Sequence, residues 1–325
     1  MKILITGANG FVGKNLVAQL NNIKAGKAKH PVLGADLHII EYKRDSDSSV
    51  LAEACKEVDF VFHLAAQPLV RRSYQNPLET YETNVMGTAH VLETVRKLGK
   101  KCQVIIITTD KVYENKERTE GYKESDRLGG FDPYSSSKAC AELLIQSYRD
   151  SYFNLNNYND AHHILLASAR GGNVVGGGDW SEDRLIPDIV RAHEAQSSLE
   201  IRNPSATRPW QHVLDCLSGY LNLGAKLLNG DKEYAKAWNF GPTDKPVSVD
   251  EIVRFAQGKW TNLSVILHPS PLHETSYLAL DCSQALSQLD WKPLLSNNDT
   301  FEWTFDWYNK YAHGSICTVD QIIRS

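Results

Sequence analysis

The chain has 325 residues, of which 42% are hydrophobic and 23% charged, and its formal net charge is -4 with a pI near 6.3. A chain of this size can bury the core of one large or two modest domains, and its slight acidity offers no basic field to a nucleic-acid backbone, so no nucleic-acid partner is expected. Met1 is followed at once by a strand-like stretch rather than by an apolar leader, and no apolar run reaches membrane-spanning length, which predicts a cytoplasmic protein without a membrane partner.

Short β-rich runs alternate with helical segments through the first half of the chain. The alternation predicts a parallel sheet with helices on both faces, in a Rossmann-like doubly wound α/β fold. Too few residues separate Arg44 from the third run for a helix and another strand, so we expect one strand of the usual sheet to be missing. The runs are KILIT, LHIIEY, VDFVFHLA, CQVIIITT and HHILLASA, with helices expected over 14–21, 48–57, 78–97 and 134–150.

The amino-acid composition changes beyond residue 172. Glycine, proline and tryptophan become frequent, with helices expected over 186–196 and 211–228 and brief strands at LEIRN, AWNFG and SVILH. We therefore predict a dinucleotide-binding domain over 1–172, to which some later segments return, and a smaller α/β substrate-binding lobe over 173–325, with the ligand cleft between them. The six cysteines are scattered without metal-ligand spacing, so neither a disulfide nor a bound metal is expected.

A glycine-rich loop, Gly7-Ala-Asn-Gly10-Phe-Val-Gly13, joins the first predicted strand to the first helix. Glycines at this position permit a tight turn and a close approach of backbone N–H groups to a pyrophosphate. We therefore predict dinucleotide binding by Gly7, Gly10, Phe11, Val12 and Gly13. The GxxGxxG spacing resembles the short-chain dehydrogenase/reductase superfamily in its extended form, whose members modify nucleotide sugars.

The end of the second strand leaves the choice of cofactor open. An acidic residue there binds the ribose diol of NAD, whereas a cation accepts the additional phosphate of NADP. The strand ends in Glu41, Tyr42, Lys43 and Arg44, so both readings are available. We expect NAD, with Glu41, Lys43 and Arg44 near the adenosine, and NADP is not excluded.

A hydroxyl, a carboxylate and an ammonium group end the fourth predicted strand, at Thr109, Asp110 and Lys111. Unpaired charge is costly in a strand core, so these groups need either partners or a chemical role. Downstream, Tyr134 and Lys138 are spaced to lie one turn apart on the same helix face. The pKa of a phenol is about 10, and a nearby ammonium group can lower it so that the oxygen acts as a base. The five residues together predict a catalytic site.

This set is similar to the catalytic residues of the extended superfamily. The resemblance implies that Tyr134 removes a sugar hydroxyl proton while hydride leaves the carbon for nicotinamide, that Lys138 holds the ribose and lowers the pKa of the tyrosine, and that Thr109 shares the hydroxyl proton. In the dehydratase branch an acid and a base act on neighbouring sugar carbons, and Asp110 and Lys111 occupy those positions. Lysine is typical of the branch acting on CDP-glucose. A plain Asp110–Lys111 ion pair is the structural alternative.

Longer segments resemble the CDP-glucose 4,6-dehydratase family, and the match covers most of residues 60–292. The first 60 residues look more like short-form NADPH-dependent reductases of capsular sugar biosynthesis, and Gly171 stands where the family usually has alanine. The matching segments are 63-HLAAQPLVRRSYQNPLETYETNVMGT-88, 129-GGFDPYSSSKACAE-142, 170-RGGNVVGGGDWSEDRLIPDIVRA-192 and 201-IRNPSATRPWQHVLDCLSGYL-221.

The resemblance implies further binding residues. Asn84 is expected to tie the sheet to the active-site loop, Arg208 is the leading phosphate ligand, and Asn173 is expected to bond a phosphate oxygen or a sugar hydroxyl. For Trp180 and Trp210, a place in the hydrophobic core and a place in the substrate pocket are equally compatible with the sequence. The remaining cofactor-binding candidates are Ala65, Ala66, Gln67 and Thr108. The substrate-binding candidates are Arg71, Ser73, Asn173, Gly178, Asp179, Trp180, Arg184, Leu185, Ile186, Arg202, Arg208, His212, His273 and Tyr277.

These features predict a lyase that acts on a nucleotide-sugar substrate. The expected reaction is that of a nucleotide-sugar 4,6-dehydratase, which converts CDP-glucose to CDP-4-keto-6-deoxyglucose by C4 oxidation, loss of water across C5 and C6, and return of the hydride to C6. Two alternatives stay open, an NADPH-dependent nucleotide-sugar reductase or epimerase and a non-catalytic dinucleotide-binding scaffold. The superfamily usually dimerises through helices that correspond to 78–97 and 134–150, which implies a homodimer.

Overall fold

The computed structural model describes residues 1–43, 48–269 and 275–314, and two predicted site residues, Arg44 and His273, lie outside these ranges. The strands are β1 (Lys2–Thr6), β2 (His38–Tyr42), β3 (Phe60–His63), β4 (Gln103–Thr109), β5 (Leu166–Gly171), β6 (Asn173–Val175), β7 (Leu199–Ile201), β8 (Thr207–Arg208), β9 (Trp210–His212), β10 (Ala237–Phe240), β11 (Val247–Ser248) and β12 (Val265–Leu267). The helices are α1 (Phe11–Lys24), α2 (Ser48–Cys55), α3 (Val70–Gln75), α4 (Pro77–Tyr81), α5 (Gly87–Leu98), α6 (Pro133–Ser151), α7 (Leu185–Glu194), α8 (Val213–Asn229), α9 (Val249–Lys259), α10 (Ser283–Gln288) and α11 (Asn297–Ala312).

A parallel sheet of six strands forms the centre of the molecule, in the order β10-β5-β4-β3-β1-β2. β3 and β5 are buried along their whole length, and β4 is buried except at one half-buried residue. Continuous apolar strands are typical of a parallel sheet with both faces covered, because neither side of the strand meets water. The predicted doubly wound α/β fold is confirmed.

In the described part of the chain, the sheet has no strand beyond β2, where the superfamily usually has one. β2 is the edge strand, and the described part of its connection to β3, residues 48–59, contains α2 and no strand. The prediction of a missing strand in the first half is therefore confirmed. The strand order reverses between β1 and β3, which places a crevice at the carboxyl end of β1, where the glycine-rich loop begins.

Helices cover both faces of the sheet. On one face, buried residues of α1 and α8 pack against β1 and β3, and on the other face buried residues of α2, α5 and α6 do so. α8 and β10 both come from the second half of the chain. β10, which the sequence predicted among the short strands of that half, pairs with β5 in the main sheet. That pairing joins residues far apart in sequence, so no local pattern indicates it.

The second half also builds a separate apolar cluster from α7, α9 and α11, together with β7 and Trp210. Three two-stranded sheets accompany it: β6 with β9, β7 with β12, and β8 with β11. β6 begins two residues after β5 ends, so this part of the chain starts at the carboxyl edge of the main sheet. Across the described residues, every helix is too short or too polar to span a membrane.

The helix predicted over 78–97 is formed without interruption by α4, a π-helical turn and α5, and a separate short helix, α3, precedes it. α3 ends before Asn76, whose φ of -132° and ψ of 68° are not helical, and Pro77 starts α4. A proline disfavours helical geometry in the residue before it, which explains the break. A π-helical turn, Glu82–Met86, then joins α4 to α5 and contains Asn84. Such turns occur frequently at functional sites.

Gly177 seats the loop after β6 against α11, because a β-carbon built at this position would overlap the Trp307 ring. Overpacking of this kind costs about 1–3 kcal/mol. Gly177→Ala is therefore expected to lower the free energy of unfolding by about that amount, measured by urea denaturation. Gly258→Ala, in α9, serves as the control, because among the described residues no atom outside the adjoining backbone lies within 4 Å of the new methyl group. The control should be up to about 1 kcal/mol more stable than wild type. Equal stabilities of the two variants would contradict this packing.

Candidate active site

The glycine-rich loop is packed too closely for side chains. Gly7 has a φ of 74°, and a β-carbon there would lie 2.6 Å from the backbone nitrogen of Ala65. A β-carbon on Gly13 would overlap the carbonyl oxygen of Gly7, so α1 can approach the loop only because both residues are glycine. Gly10 precedes α1 without a capping side chain, which leaves the first N–H groups of the helix to a ligand or water. Phe11 and Val12 are half-buried behind this turn.

The end of β2 lies beside the same loop. In the parallel register, Glu41 is opposite Ile5 and Tyr42 is opposite Thr6, the last residue before Gly7. Glu41 and Lys43 are both exposed. The carboxylate expected for NAD and a cation suited to NADP are thus both near the loop.

Asn84 fixes the segment that follows β3. Its Oδ1 accepts from the Gln67 backbone N–H (2.8 Å), and its Nδ2 donates to the Gln67 carbonyl (3.1 Å) and to Ser137 Oγ in α6 (2.8 Å). Asn84 therefore ties the segment after β3 to α6, and its expected link to an active-site loop stays a prediction. The Gln67 side chain donates to Thr80 Oγ1 (2.9 Å), and Ala65 and Ala66 are half-buried, so this segment presents small side chains and backbone to the crevice.

Thr109, Asp110, Lys111 and Tyr134 line one cavity of about 470 Å³. Thr109 ends β4, its Oγ1 donates to Asp110 Oδ1 (3.0 Å), and it accepts from the Lys111 backbone N–H (3.4 Å). Tyr134 lies in the first turn of α6, which is fixed by a capping box between Asp132 and Ser135. The structure therefore brings the carboxyl, the amine and the phenol to the same space, as the sequence predicts.

Asp110 is an acid held mainly away from water. Its side chain is 1% exposed, and within the described part of the chain its Oδ2 has no hydrogen-bond partner. Burial raises the pKa of Asp110, against the opposing effects of Lys111, Thr109 and Arg208. A carboxyl whose pKa is raised keeps a proton to a higher pH and can donate it.

Tyr134 and Lys138 are also buried. Burial raises the pKa of Tyr134 to about 12, opposed by a hydrogen bond with Thr109 and by the charge of Arg184. Burial lowers the pKa of Lys138 to about 8, and its Nζ donates to the carbonyl of Ile107 (3.1 Å). Lys138 does not line the cavity but lies one turn behind Tyr134. The expectation that Lys138 lowers the pKa of Tyr134 stays a prediction.

The opposite wall of the cavity comes from the second half of the chain. Three cations of the cavity lining lie beside carboxylates of this half. Arg71, from α3 in the first half of the chain, and Arg202 both bond Asp183 Oδ1 (2.8 and 3.4 Å), and Arg184 lies 3.8 Å from Asp179. An adjoining cavity of about 490 Å³ shares Arg71, Asp183 and Arg202. The predicted substrate residues that line the first cavity are Arg71, Asn173, Asp179, Arg184, Leu185, Ile186, Arg202 and Arg208.

Other predicted substrate residues have structural contacts away from the cavity lining. Ser73 accepts from the Tyr134 backbone N–H (3.1 Å), and Trp180 packs edge-on against Tyr308. His212 is 1% exposed, accepts from the Leu214 N–H at the start of α8, and burial lowers its pKa to about 3. The residues in this group are Ser73, Gly178, Trp180, His212 and Tyr277. Thr108, predicted to bind cofactor, has its hydroxyl committed to Glu142 (2.5 Å).

Several cavity residues were not predicted. Asp132 could have been predicted from the sequence, since an acidic residue directly before proline is typical of a helix N-cap. Asn115 and Glu117 could not have been predicted, because contacts with residues far away in the sequence hold them at the cavity. Asn115 Nδ2 donates to the Tyr277 carbonyl (3.0 Å), and Glu117 accepts from the Ser276 N–H (2.6 Å). The unpredicted lining residues include Tyr113, Asn115, Glu117, Phe131, Asp132 and Asp183.

Comparison with known proteins identifies the family. The model of the NAD dependent epimerase/dehydratase family matches residues 3–241. The chain belongs to this family. Its cofactor is therefore NAD, and the close-packed Gly7–Gly13 loop with its open helix N-terminus fits a dinucleotide.

Individual relatives agree with this membership. A CDP-glucose 4,6-dehydratase of Salmonella typhimurium is 41% identical, covering 99% of this chain and 95% of that protein. A CDP-paratose 2-epimerase of Salmonella typhi is 25% identical over 94% of this chain and 99% of that protein. The dTDP-glucose 4,6-dehydratase of Streptomyces venezuelae, solved with NAD and TYD bound, shares the fold with a TM-score of 0.80 at 22% identity, covering 98% of this chain and 100% of that one.

Asp110→Asn is expected to stabilise the protein at neutral and alkaline pH. The folded-state pKa of Asp110 is raised, so its ionisation removes stability as pH rises above the unfolded value of about 3.9. Asparagine stays neutral and keeps an acceptor for Thr109. The free energy of unfolding, measured with urea across pH, should exceed that of wild type at pH 8 and converge with it near pH 4. Asp160→Asn, on an exposed turn, is the control and should show no gain. A variant less stable than wild type at pH 8 would contradict the raised pKa.

Proposed function

We propose that this enzyme is a nucleotide-sugar 4,6-dehydratase that converts CDP-glucose to CDP-4-keto-6-deoxyglucose, and is therefore a lyase. The observation that carries the proposal is that Asp110, Lys111 and Tyr134 line one cavity, with an acid whose pKa is raised beside an amine and a phenol. An epimerase or a simple reductase has no water to eliminate and needs no such pair. The 41% identity to a CDP-glucose 4,6-dehydratase supports both the reaction and the nucleotide.

The cofactor is held by the first half of the chain. The backbone of residues 7–13 would bind the pyrophosphate, Glu41 the adenosine ribose, and Lys138 the nicotinamide ribose. Bound NAD would supply a hydride acceptor at C4 of the hexose and then a donor at C6, so that none is consumed. The exposed Lys43 is compatible with NADP, but Glu41 favours the ribose diol of NAD.

The side chains at the end of β4 and the start of α6 move the protons. Tyr134 acts with Thr109 as the base for the C4 hydroxyl. To accept that proton Tyr134 must react as the phenolate, which the ammonium group of Lys138 favours against the effect of burial. Lys111, as a neutral amine, removes the proton from C5 of the resulting ketone. Asp110 donates a proton to the C6 oxygen, the C6–O bond breaks, and water leaves as the C5–C6 double bond forms. The raised pKa of Asp110 suits the donor role, because the proton must be present before the bond breaks.

Cations on the opposite wall suit a diphosphate. Arg208 is buried in the cavity wall and acts electrostatically on Asp110, so a phosphate held there lies near the sugar-reacting groups. Arg71 and Arg202 border both cavities, which gives the nucleoside room to extend into the second one. The division of labour we infer is cofactor binding by 1–172 together with α8 and β10, and substrate binding by the rest of 173–325.

Turnover tests the proposal directly. Enzyme supplied with CDP-glucose and NAD should form a 4-keto-6-deoxy product without external reductant, followed by NMR of the sugar nucleotide. The comparison substrates are UDP-, GDP- and dTDP-glucose, and the comparison cofactor is NADP. Stoichiometric oxidation of NADPH by a keto-sugar nucleotide would instead favour the reductase alternative. Dinucleotide binding without turnover of any hexose nucleotide would favour the scaffold.

Variants assign the proton-transfer groups. Tyr134→Phe, Asp110→Asn and Lys111→Met should each lower kcat by about 10²- to 10⁴-fold, because each removes a group that transfers a proton. Lys116→Met removes an exposed ammonium five residues after Lys111 and outside the cavity lining, and it should leave kcat unchanged. Full activity of the Lys111 variant would exclude this lysine as the C5 base.

We also propose that the enzyme is a homodimer through α4, α5 and α6. Leu78 on α4, Met86 at the end of the π-helical turn before α5, and Leu143 on α6 are 83%, 50% and 56% exposed. Large exposed apolar side chains in one region are typical of an interface. The superfamily likeness implies a four-helix contact of two such helices from each subunit. Leu143→Asp should convert the dimer to monomer in sedimentation experiments. Leu294→Asp, also exposed but remote in sequence from these helices, is the control. Wild-type protein that sediments as a monomer would contradict the proposal.

A further inference from the structure

One face of α6 is fastened to the end of β4 by three polar contacts. Tyr134, Lys138 and Glu142 follow each other at intervals of four residues, so they lie above one another on this face. All three are buried. The contacts are those of Tyr134 with Thr109, of Lys138 Nζ with the Ile107 carbonyl (3.1 Å), and of Glu142 Oε1 with Thr108 Oγ1 (2.5 Å).

Glu142 is a buried carboxylate with a hydrogen-bond partner on each oxygen. Its side chain is 1% exposed, and besides Thr108 it accepts from Ser168 Oγ (2.9 Å) and from Arg170 Nη2 (2.9 Å), both on β5. The Arg170 side chain is 4% exposed. Burial raises the pKa of Glu142, but the ion pair with Arg170, the Thr108 hydroxyl and the charge of Arg149 outweigh this and hold the pKa below its usual range. The carboxylate is therefore a fixed negative charge one turn from Lys138.

Arg170 extends the same network to the loop that carries the acid and the amine. Its Nη1 donates to the Tyr113 hydroxyl (2.9 Å), and the guanidinium lies over the Tyr113 ring, 5.1 Å from the centroid. Tyr113 in turn donates to Asn239 Oδ1 on β10 (2.6 Å). Tyr113 follows the turn Asp110–Val112 and lines the cavity. The network thus contacts both segments that deliver reacting groups.

The charges around Lys138 determine how it responds to Glu142. His63 at the end of β3 is hydrogen-bonded to Thr6 and Thr88, and burial with the charge of Lys138 lowers its pKa to about 3, so it is neutral. Tyr134, one turn away on the same helix, is neutral below its raised pKa. Glu142 opposes the effect of burial on the pKa of Lys138. The carboxylate is thus the anion among these groups that favours the protonated amine.

We propose that Glu142 is a positioning residue that, anchored by Arg170 and Thr108, holds Lys138 protonated and keeps Tyr134 aligned with Thr109. This inference rests on the proposed function, in which Lys138 holds the cofactor ribose. Glu142 does not line the cavity, so its effect reaches the sugar only through these neighbours. A structural ion pair alone would affect folding without changing the protonation of Lys138, and this difference can be tested.

Three variants separate the effect of the Glu142 charge on Lys138 from its effect on the stability of the protein. Glu142→Gln removes the anion but leaves Arg170 buried without its partner, which is expected to lower the melting temperature. Adding Arg170→Met removes the second charge and should recover much of the melting temperature. Glu142→Asp keeps the charge in a shorter side chain. Turnover of CDP-glucose and calorimetric binding of NAD are measured across pH for all three and for wild type.

Loss of the anion lowers the pH at which Lys138 gives up its proton. In Glu142→Gln and in the double variant, the alkaline limb of kcat and the alkaline loss of NAD affinity should therefore move to lower pH by roughly one pH unit. KM for the sugar nucleotide should change less than kcat, because the cavity wall is intact. Glu142→Asp should keep the wild-type alkaline limb.

A double variant with the wild-type pH dependence of NAD binding would overturn the proposal and leave Glu142 as a folding element. If the double variant does not fold, equal pH dependence in Glu142→Gln and Glu142→Asp would overturn it equally. NAD binding needs no turnover. Failure of the proposed reaction is therefore distinguishable from failure of this inference.

Discussion

The packing of α6 against the end of β4 is the contact on which the site depends. In a parallel sheet the carboxyl ends of the strands lie at one edge, and β4 carries Thr109 and Asp110 to that edge. The Asp132 capping box starts α6 in a position where Tyr134 meets Thr109. A shift of the helix by one residue would turn this face away from β4, because side chains repeat only every third or fourth residue.

Burial divides the charged groups of this region into two kinds. Glu142 and Arg170 satisfy each other, so both keep their charge in the protein interior. Asp110 has cations near it, but within the described part of the chain one of its carboxylate oxygens has no hydrogen-bond partner. Burial raises its pKa. The first kind forms an ionic support between α6 and β5, and the second kind is an acid with a raised pKa. The same desolvation therefore produces either structure or acidity, depending on how completely each group is paired.

Local chemistry and spacing made part of this site predictable from the sequence. Thr109, Asp110, Lys111 and Tyr134 were recognisable because polar groups at a strand end and a tyrosine one helical turn before a lysine are short-range patterns. Five of the six strands of the main sheet followed from alternating runs in the same way, whereas the pairing of β10 with β5 did not. Contacts between distant segments were not predictable: Arg170 reads as an ordinary end of a strand until β5 is placed beside β4. His212 is a related case, because its role as the cap of α8 depends on the path of the backbone rather than on residue type.

The missing strand leaves β2 with an unpaired side within the described part of the chain. Main-chain N–H and C=O groups on such an edge can pair with a strand from another molecule. β2 is short, and His38 and Glu41 on it are exposed, with Lys43 directly after it. Polar and charged side chains on a five-residue edge discourage such addition of strands. The exposed edge of β2 beside the glycine-rich loop is therefore poorly suited to pairing with a strand of a second molecule.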